Sequence, residues 1–324
     1  MSDMTSLDIV VPCFNEEEAL PASARELKAI LDAMKAEGLV SSRSRIRFVD
    51  DGSKDATWSI ISRLSSEAPE TFGGVKLSRN RGHQNAVLAG LMSSGCDAVI
   101  TIDADLQDDP VVMKQMVRFF HEGKQIVYGV RADRTSDSTF KRSTAQSYYK
   151  VLSLLGVEIV YNHADYRLMG RAAIDALRAY PETNLFLRAI VPQLGFPFAF
   201  VTYSRVSRVA GESKYPLRRM LALALNGITS FSMKPLRLIT AFGFLTSMAA
   251  FAVGTWALLA SLFGFASLPG WASIVVPMMF FSGVQILSLG IIGEYVGKTY
   301  MEAKRRPPYI IEDIVGDDNR TVLD

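Results

Sequence analysis

Asp103-Ala104-Asp105 sets two carboxylates at alternate positions directly after a short apolar run. On an extended backbone residues i and i+2 point to the same side, so two hard oxygen ligands can face one ion. A magnesium or manganese ion held there keeps open positions for substrate phosphate oxygens. It also neutralises charge on a departing diphosphate, which is Lewis-acid catalysis. An acidic turn after a strand can equally be a solvated loop. Two further polar clusters bear on that choice. Pro12-Cys13-Phe14-Asn15-Glu16-Glu17 closes one apolar run and Asp50-Asp51-Gly52-Ser53 closes another. Their acid and amide groups suit hydrogen bonds from a nucleotide base and ribose hydroxyls. Read singly, Glu16 and Glu17 are first-turn acids favoured by a helix dipole, and Asp51-Gly52 is a tight turn. It is the coincidence of all three clusters at one edge that points to a site.

Such a coincidence needs a scaffold that brings strand ends together. Apolar runs at 7–13, 46–49, 75–77, 98–102 and 125–129 alternate with helical stretches at about 16–35, from 54 and from Pro110. Proline costs a helix least at that first position. Strands alternating with helices predict an α/β fold with a mostly parallel sheet covered on both faces. In such sheets ligands bind outside the carboxyl ends of the strands, where the polar clusters fall. Further on, helices are expected around 141–155 and 171–179 and a strand near 198–203. Residues 215–231 carry apolar residues at helical spacing with Arg218 and Arg219 to one side. This stretch reads as a juxtamembrane interfacial helix or as an ordinary core helix.

Two apolar stretches follow, at about 238–265 and 271–296, each long enough for a hydrocarbon core of about 30 Å. Hydrophobic residues make up 49% of the chain, and 238–297 carries almost no charge. Two buried helices of a soluble fold are the alternative, but unbroken runs of this length are rare there. The connector 266–270 holds Pro269 and Gly270 and no charge. Lys234 and Arg237 precede the pair, and Lys298, Lys304, Arg305 and Arg306 follow it. The positive-inside rule then places both flanks in the cytosol. Gln285 and Glu294 are the polar groups of the second stretch, suited to an interface or a helix–helix contact.

The expected organisation is a cytosolic catalytic domain at 1–214, an amphipathic segment at 215–234, a two-helix membrane hairpin within 235–300 and a cytosolic tail at 301–324. The net charge of +2 and the lack of an arginine-rich arm or zinc-spaced Cys/His set argue against nucleic acid. Cys13 and Cys96, the two cysteines, fall in predicted strands and read as reduced buried thiols. That fits a reducing cytosol. The N-terminus runs into Leu7-Asp8-Ile9-Val10-Val11 without the pattern of a signal peptide.

Taken together, Val11-Pro12-Cys13-Phe14-Asn15-Glu16-Glu17, Val49-Asp50-Asp51-Gly52-Ser53-Lys54-Asp55-Ala56-Thr57, Ser78-Arg79-Asn80-Arg81-Gly82-His83-Gln84 and Asp103-Ala104-Asp105-Leu106-Gln107-Asp108 form a pattern. With Arg208-Val209-Ala210-Gly211-Glu212-Ser213-Lys214-Tyr215 and the apolar pair, it resembles glycosyltransferase family 2 enzymes of GT-A fold. The branch it resembles transfers sugars to polyprenyl phosphates and includes dolichyl-phosphate mannose synthase and bactoprenol glucosyltransferases. The resemblance covers residues 5–310. It implies that Pro12, Asn15, Glu17 and Asp50 line a nucleotide pocket. Asp103, Asp105 and Gln107 would surround a divalent metal and the donor diphosphate. Arg131, Arg142, Arg208, Ser213 and Lys214 would hold donor and lipid phosphates, with Arg208 and Lys214 matching best through Arg-x-x-Gly-x-Ser-Lys. Two anionic substrates must meet without repelling each other, which such a cluster permits.

Asp165, in His163-Ala164-Asp165-Tyr166-Arg167-Leu168, resembles the acid proposed as base in that branch. A lipid phosphate is already largely ionised near neutrality, with a second pKa around 6. A base has little proton to remove, so Asp165 is expected to position the acceptor or orient Arg167. Arg81 stands where relatives often carry an aromatic residue. The function so implied is inverting transfer of a hexose, glucose first and UDP-glucose as donor, to undecaprenyl or another polyprenyl phosphate. Mannose, galactose, N-acetylhexosamine and aminoarabinose derivatives remain open. A processive polysaccharide synthase would show Gln-x-x-Arg-Trp and more spans, and a non-catalytic scaffold would not need an intact Asp103/Asp105 pair. A homo-oligomer, a tetramer included, is open through the hairpin and the tail Pro307-Pro308-Tyr309-Ile310-Ile311.

Overall fold

The computed structural model describes residues 4–131, 163–180, 187–203, 234–263 and 272–316. The expected helices at 141–155 and 215–231 lie outside these residues, as do Arg142, Arg208, Ser213 and Lys214. The chain divides into two compact units, one of residues 1–147, 158–214 and 305–324, the other of residues 148–157 and 215–304.

The first unit is built on a sheet of eight strands among the described residues. In chain order they are β1 (Leu7–Cys13), β2 (Arg45–Asp50), β3 (Phe72–Leu77), β4 (Ala98–Thr101), β5 (Ile126–Arg131), β6 (His163–Gly170), β7 (Phe198–Tyr203) and β8 (Ile311–Val315). Across the sheet they run β7-β5-β6-β4-β1-β2-β3-β8. β1 pairs in parallel with β2 and β4, β2 with β3, and β5 with β7. β6 runs antiparallel to both β4 and β5, and β8 antiparallel to β3. The sheet is therefore mixed at two places and parallel through its centre. Every residue of β1 is buried, as expected of a central parallel strand covered on both faces.

Helices α1 (Leu20–Ala36), α2 (Thr57–Glu67) and α4 (Met113–His121, preceded by a short 3-10 turn at Pro110–Val112) share one core with the sheet. Leu20, Ala24, Leu27, Leu31 and Met34 form the buried stripe of α1 at helical spacing. They meet Ile9, Val11, Ile46 and Phe48. α3 (His83–Ser93) packs the opposite face, so closely that a Cβ on Gly90 would lie 2.3 Å from Val10 Cγ1. α5 (Arg171–Arg178) and the short α6 (Leu187–Gln193) complete the described helices of this unit. A buried ion pair crosses the centre: Arg47 Nε lies 3.2 Å from Asp8 Oδ2, with Arg45 Nε 3.7 Å from the other oxygen.

Among the expected elements, α1, β3 and the tail differ for identifiable reasons. α1 starts at Leu20 because the backbone N–H groups of Glu16 and Glu17 donate to Thr57 Oγ1 (2.9 Å) and Asp55 Oδ2 (3.2 Å). β3 begins three residues early, at Phe72, through Gly73 and Gly74, residues of low strand propensity. A Cβ on Gly74 would come within 2.4 Å of Ile61 Cγ2, so glycine is what lets α2 lie on the sheet. The tail expected as a separate 301–324 segment supplies β8 to the sheet itself. Its Lys76 to Glu312 ion pair (3.0 Å) and the bond from Arg45 Nη1 to the Gly316 carbonyl (2.8 Å) fix it there. Of residues 307–311, Ile311 pairs with Leu77 and the Ile310 carbonyl accepts from Ser78 N–H (3.0 Å).

The second unit contains α7 (Lys234–Leu262) and α8 (Ala272–Ala303). α7 begins ahead of its apolar stretch, at Lys234, and α8 runs past the end of its own, to Ala303. Each contains a window long and apolar enough to cross a membrane, Lys234–Trp256 and Phe280–Ala303, and none of either window is buried in the chain. Side chains such as Phe244, Phe251, Leu287 and Leu289 present apolar surface outward. Patches of this size on a folded chain mark contact with lipid or protein.

Candidate active site

The carboxyl ends of β1, β2, β4 and β5 open on one edge, and antiparallel β6 brings its first residues to that same edge. Asp103 and Asp105 follow β4 on a turn that carries Leu106 at φ 43°. A non-glycine residue in the left-handed region stores strain, which collects at functional turns. The turn is closed by Leu106 N–H donating to the Asp103 carbonyl (3.2 Å) and Gln107 N–H donating to Asp105 Oδ1 (3.3 Å). Burial pushes the Asp103 carboxyl up; His83 opposes this, while Asp165, Asp108 and Asp105 add to it. The neighbouring carboxylates are a lesser cause than burial, and a cation beside them would oppose both.

On the β1–β2 side, Asp50 is fully buried, and its Oδ2 is without a hydrogen-bond partner among the described residues. Burial raises its pKa, against the hydrogen bonds from Ser53. An acceptor left bare at a ligand edge awaits an N–H or O–H donor. Asn15 and Glu17 stand close by, but their side chains secure the loop after β2. Asn15 Oδ1 accepts from Lys54 N–H (2.9 Å), and Glu17 Oε2 from Ala56 N–H (2.9 Å). Pro12 is buried within β1, paired in register with Val49. Asp51 holds the next loop, accepting from the N–H groups of Arg81 (2.6 Å) and Gly82 (2.9 Å). Gly52, at φ 67°, permits that approach, since a Cβ would lie 2.5 Å from the Arg79 carbonyl carbon.

On the β5–β6 side the charges change sign. Arg131 Nη2 lies 3.5 Å from buried Asp108 Oδ1. Asp165, at 9% side-chain exposure, is gripped from several directions. Arg167 Nη2 donates to its Oδ1 at 2.8 Å, and Arg188 donates through Nε (3.2 Å) and Nη2 (3.0 Å) to its two oxygens. Gln84 Nε2 donates to Oδ2 at 3.3 Å, while its Oε1 accepts from Leu187 N–H at 3.1 Å. His83 Nε2 bridges Asp165 Oδ2 (3.5 Å) and Asp103 Oδ1 (3.6 Å). Burial opposes ionisation of Asp165, yet the His83 hydrogen bond and the charges of Arg167 and Arg188 hold its carboxyl well below the usual range. A carboxylate so committed is a poor proton acceptor. The geometry makes it an anchor for cations.

The described part of the site thus brings together Pro12, Asn15, Glu17, Asp50, Asp103, Asp105, Gln107, Arg131 and Asp165. Sequence reasoning assigned no role to His83, Gln84 or Arg188. The first two stood in the quoted Gly82-His83-Gln84 motif, a signal that was available; Arg188 had none.

Carboxylates and arginines gathered beyond the carboxyl ends of a largely parallel sheet suit a phosphate-bearing substrate and a divalent ion. The Glycosyl transferase family 2 model matches residues 8–178, and the chain belongs to that family. It is 47% identical to an uncharacterized glycosyltransferase, YkoT, of Bacillus subtilis (strain 168), over 94% of this chain and 91% of the relative. A prophage bactoprenol glucosyl transferase homolog of Escherichia coli (strain K12) is 38% identical over 95% of this chain and 99% of its own. The bactoprenol glucosyl transferase of Shigella phage SfV is 38% identical over 95% and 98%.

Proposed function

We propose that this glycosyltransferase moves a hexose from a nucleotide-sugar to the phosphate of a polyprenyl lipid, with inversion at the anomeric carbon, glucose from UDP-glucose being the first choice. The observation that carries the reading is the polarity of one edge: bare Asp50 Oδ2, then Asp103 and Asp105, then the Arg131 and Asp165 flank. The names of the bactoprenol relatives support a lipid phosphate as acceptor and glucose as cargo.

In this reading Asp50 accepts from an N–H group of the base, while Asn15 and Glu17 shape the loop above it. The carboxylates of Asp103 and Asp105 suit Mg²⁺ or Mn²⁺, which take one or two carboxylates and complete their shell with substrate phosphates and water. Asp103 and Asp105, with Gln107 beside them, would hold the ion, and a bound ion would neutralise charge on the leaving diphosphate. Arg131, with Arg142, Arg208, Ser213 and Lys214, would screen the two anionic substrates from each other. Asp165 positions cations and removes no proton.

The two apolar helices would span a cytoplasmic membrane, with the sheet unit and both flanks cytosolic. The basic residues at 234, 237, 298 and 304–306 favour that orientation. Chain order puts both flanks on one side, since β8 follows α8 yet pairs with β3, leaving an even number of crossings between them. The test is full-length protein in detergent with labelled nucleotide-sugars, undecaprenyl phosphate and Mn²⁺ or Mg²⁺. A lipid-linked hexose formed with metal and lost with chelator is the expected result. No such product from any sugar in the panel, metal present, would overturn the proposal.

A further inference from the structure

We infer that the Tyr203 hydroxyl positions Arg131 for a substrate phosphate. This rests on the function proposed above and names a residue that neither motif nor spacing singled out.

Strand register brings the two residues together. β5 and β7 pair in parallel, and their last residues, Arg131 and Tyr203, are partners across the ladder. The Tyr203 ring is fixed from two sides. It meets the Tyr166 ring edge-on, with centroids 5.5 Å apart and planes at 71°. Gly129 makes room for both rings, since a Cβ there would lie 3.0 Å from Tyr166 Cδ1 and 3.1 Å from Tyr203 Cε1. The Tyr166 hydroxyl donates to the Asp109 carbonyl at 3.1 Å. The Tyr203 hydroxyl is placed differently. Tyr203 is 3% exposed, yet its hydroxyl closes no hydrogen bond among the described residues, and neither does the buried Arg131 Nε. The two groups are neighbours, and Asp108 lies beside both.

A buried hydroxyl without a closed bond weakens a fold, and phenylalanine would fill the same space without that cost. Folding therefore gives no reason for an oxygen at this point, whereas binding does. Burial pushes the Tyr203 phenol up in pKa and Asp108 adds to this, against Arg131, so the group stays an O–H. An O–H between a guanidinium, which only donates, and a carboxylate, which accepts, has one orientation that serves both. Its oxygen faces the Arg131 Nε–H and its proton turns to Asp108. The Asp108 carboxylate also faces Arg131 Nη2, at 3.5 Å. Contacts of this kind often stand long in the free enzyme and tighten around the bound substrate. With the inner side of the fork so seated, the 30% of the side chain that stays exposed is presented to a ligand. A planar fork held in this way suits a phosphate and loses little entropy on taking one. Asp108 belongs to the turn that carries Asp103 and Asp105, which brings Arg131 to the donor's diphosphate; the lipid's phosphate offers the same chemistry.

Binding and kinetics of full-length wild type, Tyr203→Phe, Arg131→Ala and the double variant test this. Kd is measured for UDP and for uridine with Mn²⁺ present, and KM for undecaprenyl phosphate with UDP-glucose. Tyr203→Phe is expected to weaken a phosphate-bearing substrate roughly 3–10-fold, the loss of one hydrogen bond to a charged group. Uridine should keep its wild-type Kd. A weakened UDP assigns the donor's diphosphate, and a raised acceptor KM alone assigns the lipid's phosphate. Beside Arg131→Ala the same change should add no further loss, because the hydroxyl then has no guanidinium to hold. Thermal unfolding supplies a readout that a merely structural role would move the other way. Tyr203→Phe should melt at or above the wild-type temperature, while Tyr166→Phe, which gives up its bond to the Asp109 carbonyl, should melt earlier. UDP Kd and acceptor KM both unchanged in Tyr203→Phe overturn the inference. So does a loss that persists undiminished beside Arg131→Ala, one matched by uridine, or a melting temperature lowered as in Tyr166→Phe. Arg131→Lys, which keeps the charge beside Asp108 without the inner N–H, completes the cycle if Arg131→Ala fails to fold. Wild type that binds no UDP and forms no lipid-linked sugar would instead overturn the parent function.

Discussion

Replacing Asp165 with asparagine separates the two roles open to a carboxylate in this cleft. A general base could be lost with the fold intact. An anchor cannot, because Arg167 would remain buried with its charge unpaired, a loss of roughly 3–5 kcal/mol. We expect Asp165→Asn to lower thermal stability as well as activity, measured by thermal unfolding in detergent beside the assay. The folded carboxyl titrates below its unfolded value of about 3.9. Its contribution is therefore complete above that value and fades only as pH falls through the lower folded one. His83 adds a second dependence, because Asp165, against burial, helps raise its pKa above the usual 6.5: the gap between wild type and variant should be widest below that value and narrow as pH rises through the folded His83 pKa. Asp105, exposed at the turn, should behave differently. Asp105→Asn should fold normally and lose about 100-fold or more in kcat, the equivalent of the several kcal/mol that a bound metal supplies. Asp50, Asp103 and Asp105 were legible in sequence because each closes an apolar run. Arg188 was not, because its meaning depends on α6 meeting the start of β6. The roles given to Asn15 and Glu17 were legible only as locations, their side chains being spent on the neighbouring loop.

Loops and strands carry a parallel lesson in glycine. Gly52 combines φ 67° with backbone atoms of Arg79 and Asn80 where its Cβ would go. Gly52→Ala should therefore cost roughly 1–3 kcal/mol in strain, and more through the clash. It should also weaken donor binding, because Asp50 lies two residues away and Asp51 holds the facing loop. Urea denaturation and the UDP-glucose Kd together check this. The parallel strands were readable from their apolar runs. The start of β3 was hidden because Gly73 and Gly74 serve helix packing rather than strand propensity. β6 escaped because Asp165 and Arg167 look like loop residues until each is seen to neutralise the other inside the sheet, with Tyr166 and Leu168 on the opposite face.

For the whole chain, the C-terminal strand decides more than its length implies. Deleting residues 311–324 removes β8, bares the backbone of β3, and takes Glu312 from Lys76 and the Gly316 carbonyl from Arg45. An open edge of that kind recruits other chains. The shortened protein is expected to elute as aggregates in size-exclusion chromatography and to melt earlier than the full chain. A tail engaged only in subunit contacts would instead give well-behaved smaller species.

β8 also sets an order of events during biosynthesis. Chains emerge N-terminus first and domains tend to fold as they emerge, so β1 to β7 are available long before β8. Both apolar helices must be made in between. Until they are, β3 stays an unprotected edge, and the sheet cannot be completed. Completion of the catalytic unit is thereby tied to synthesis of the whole apolar pair, so a chain cut short within that pair leaves the sheet with an open edge.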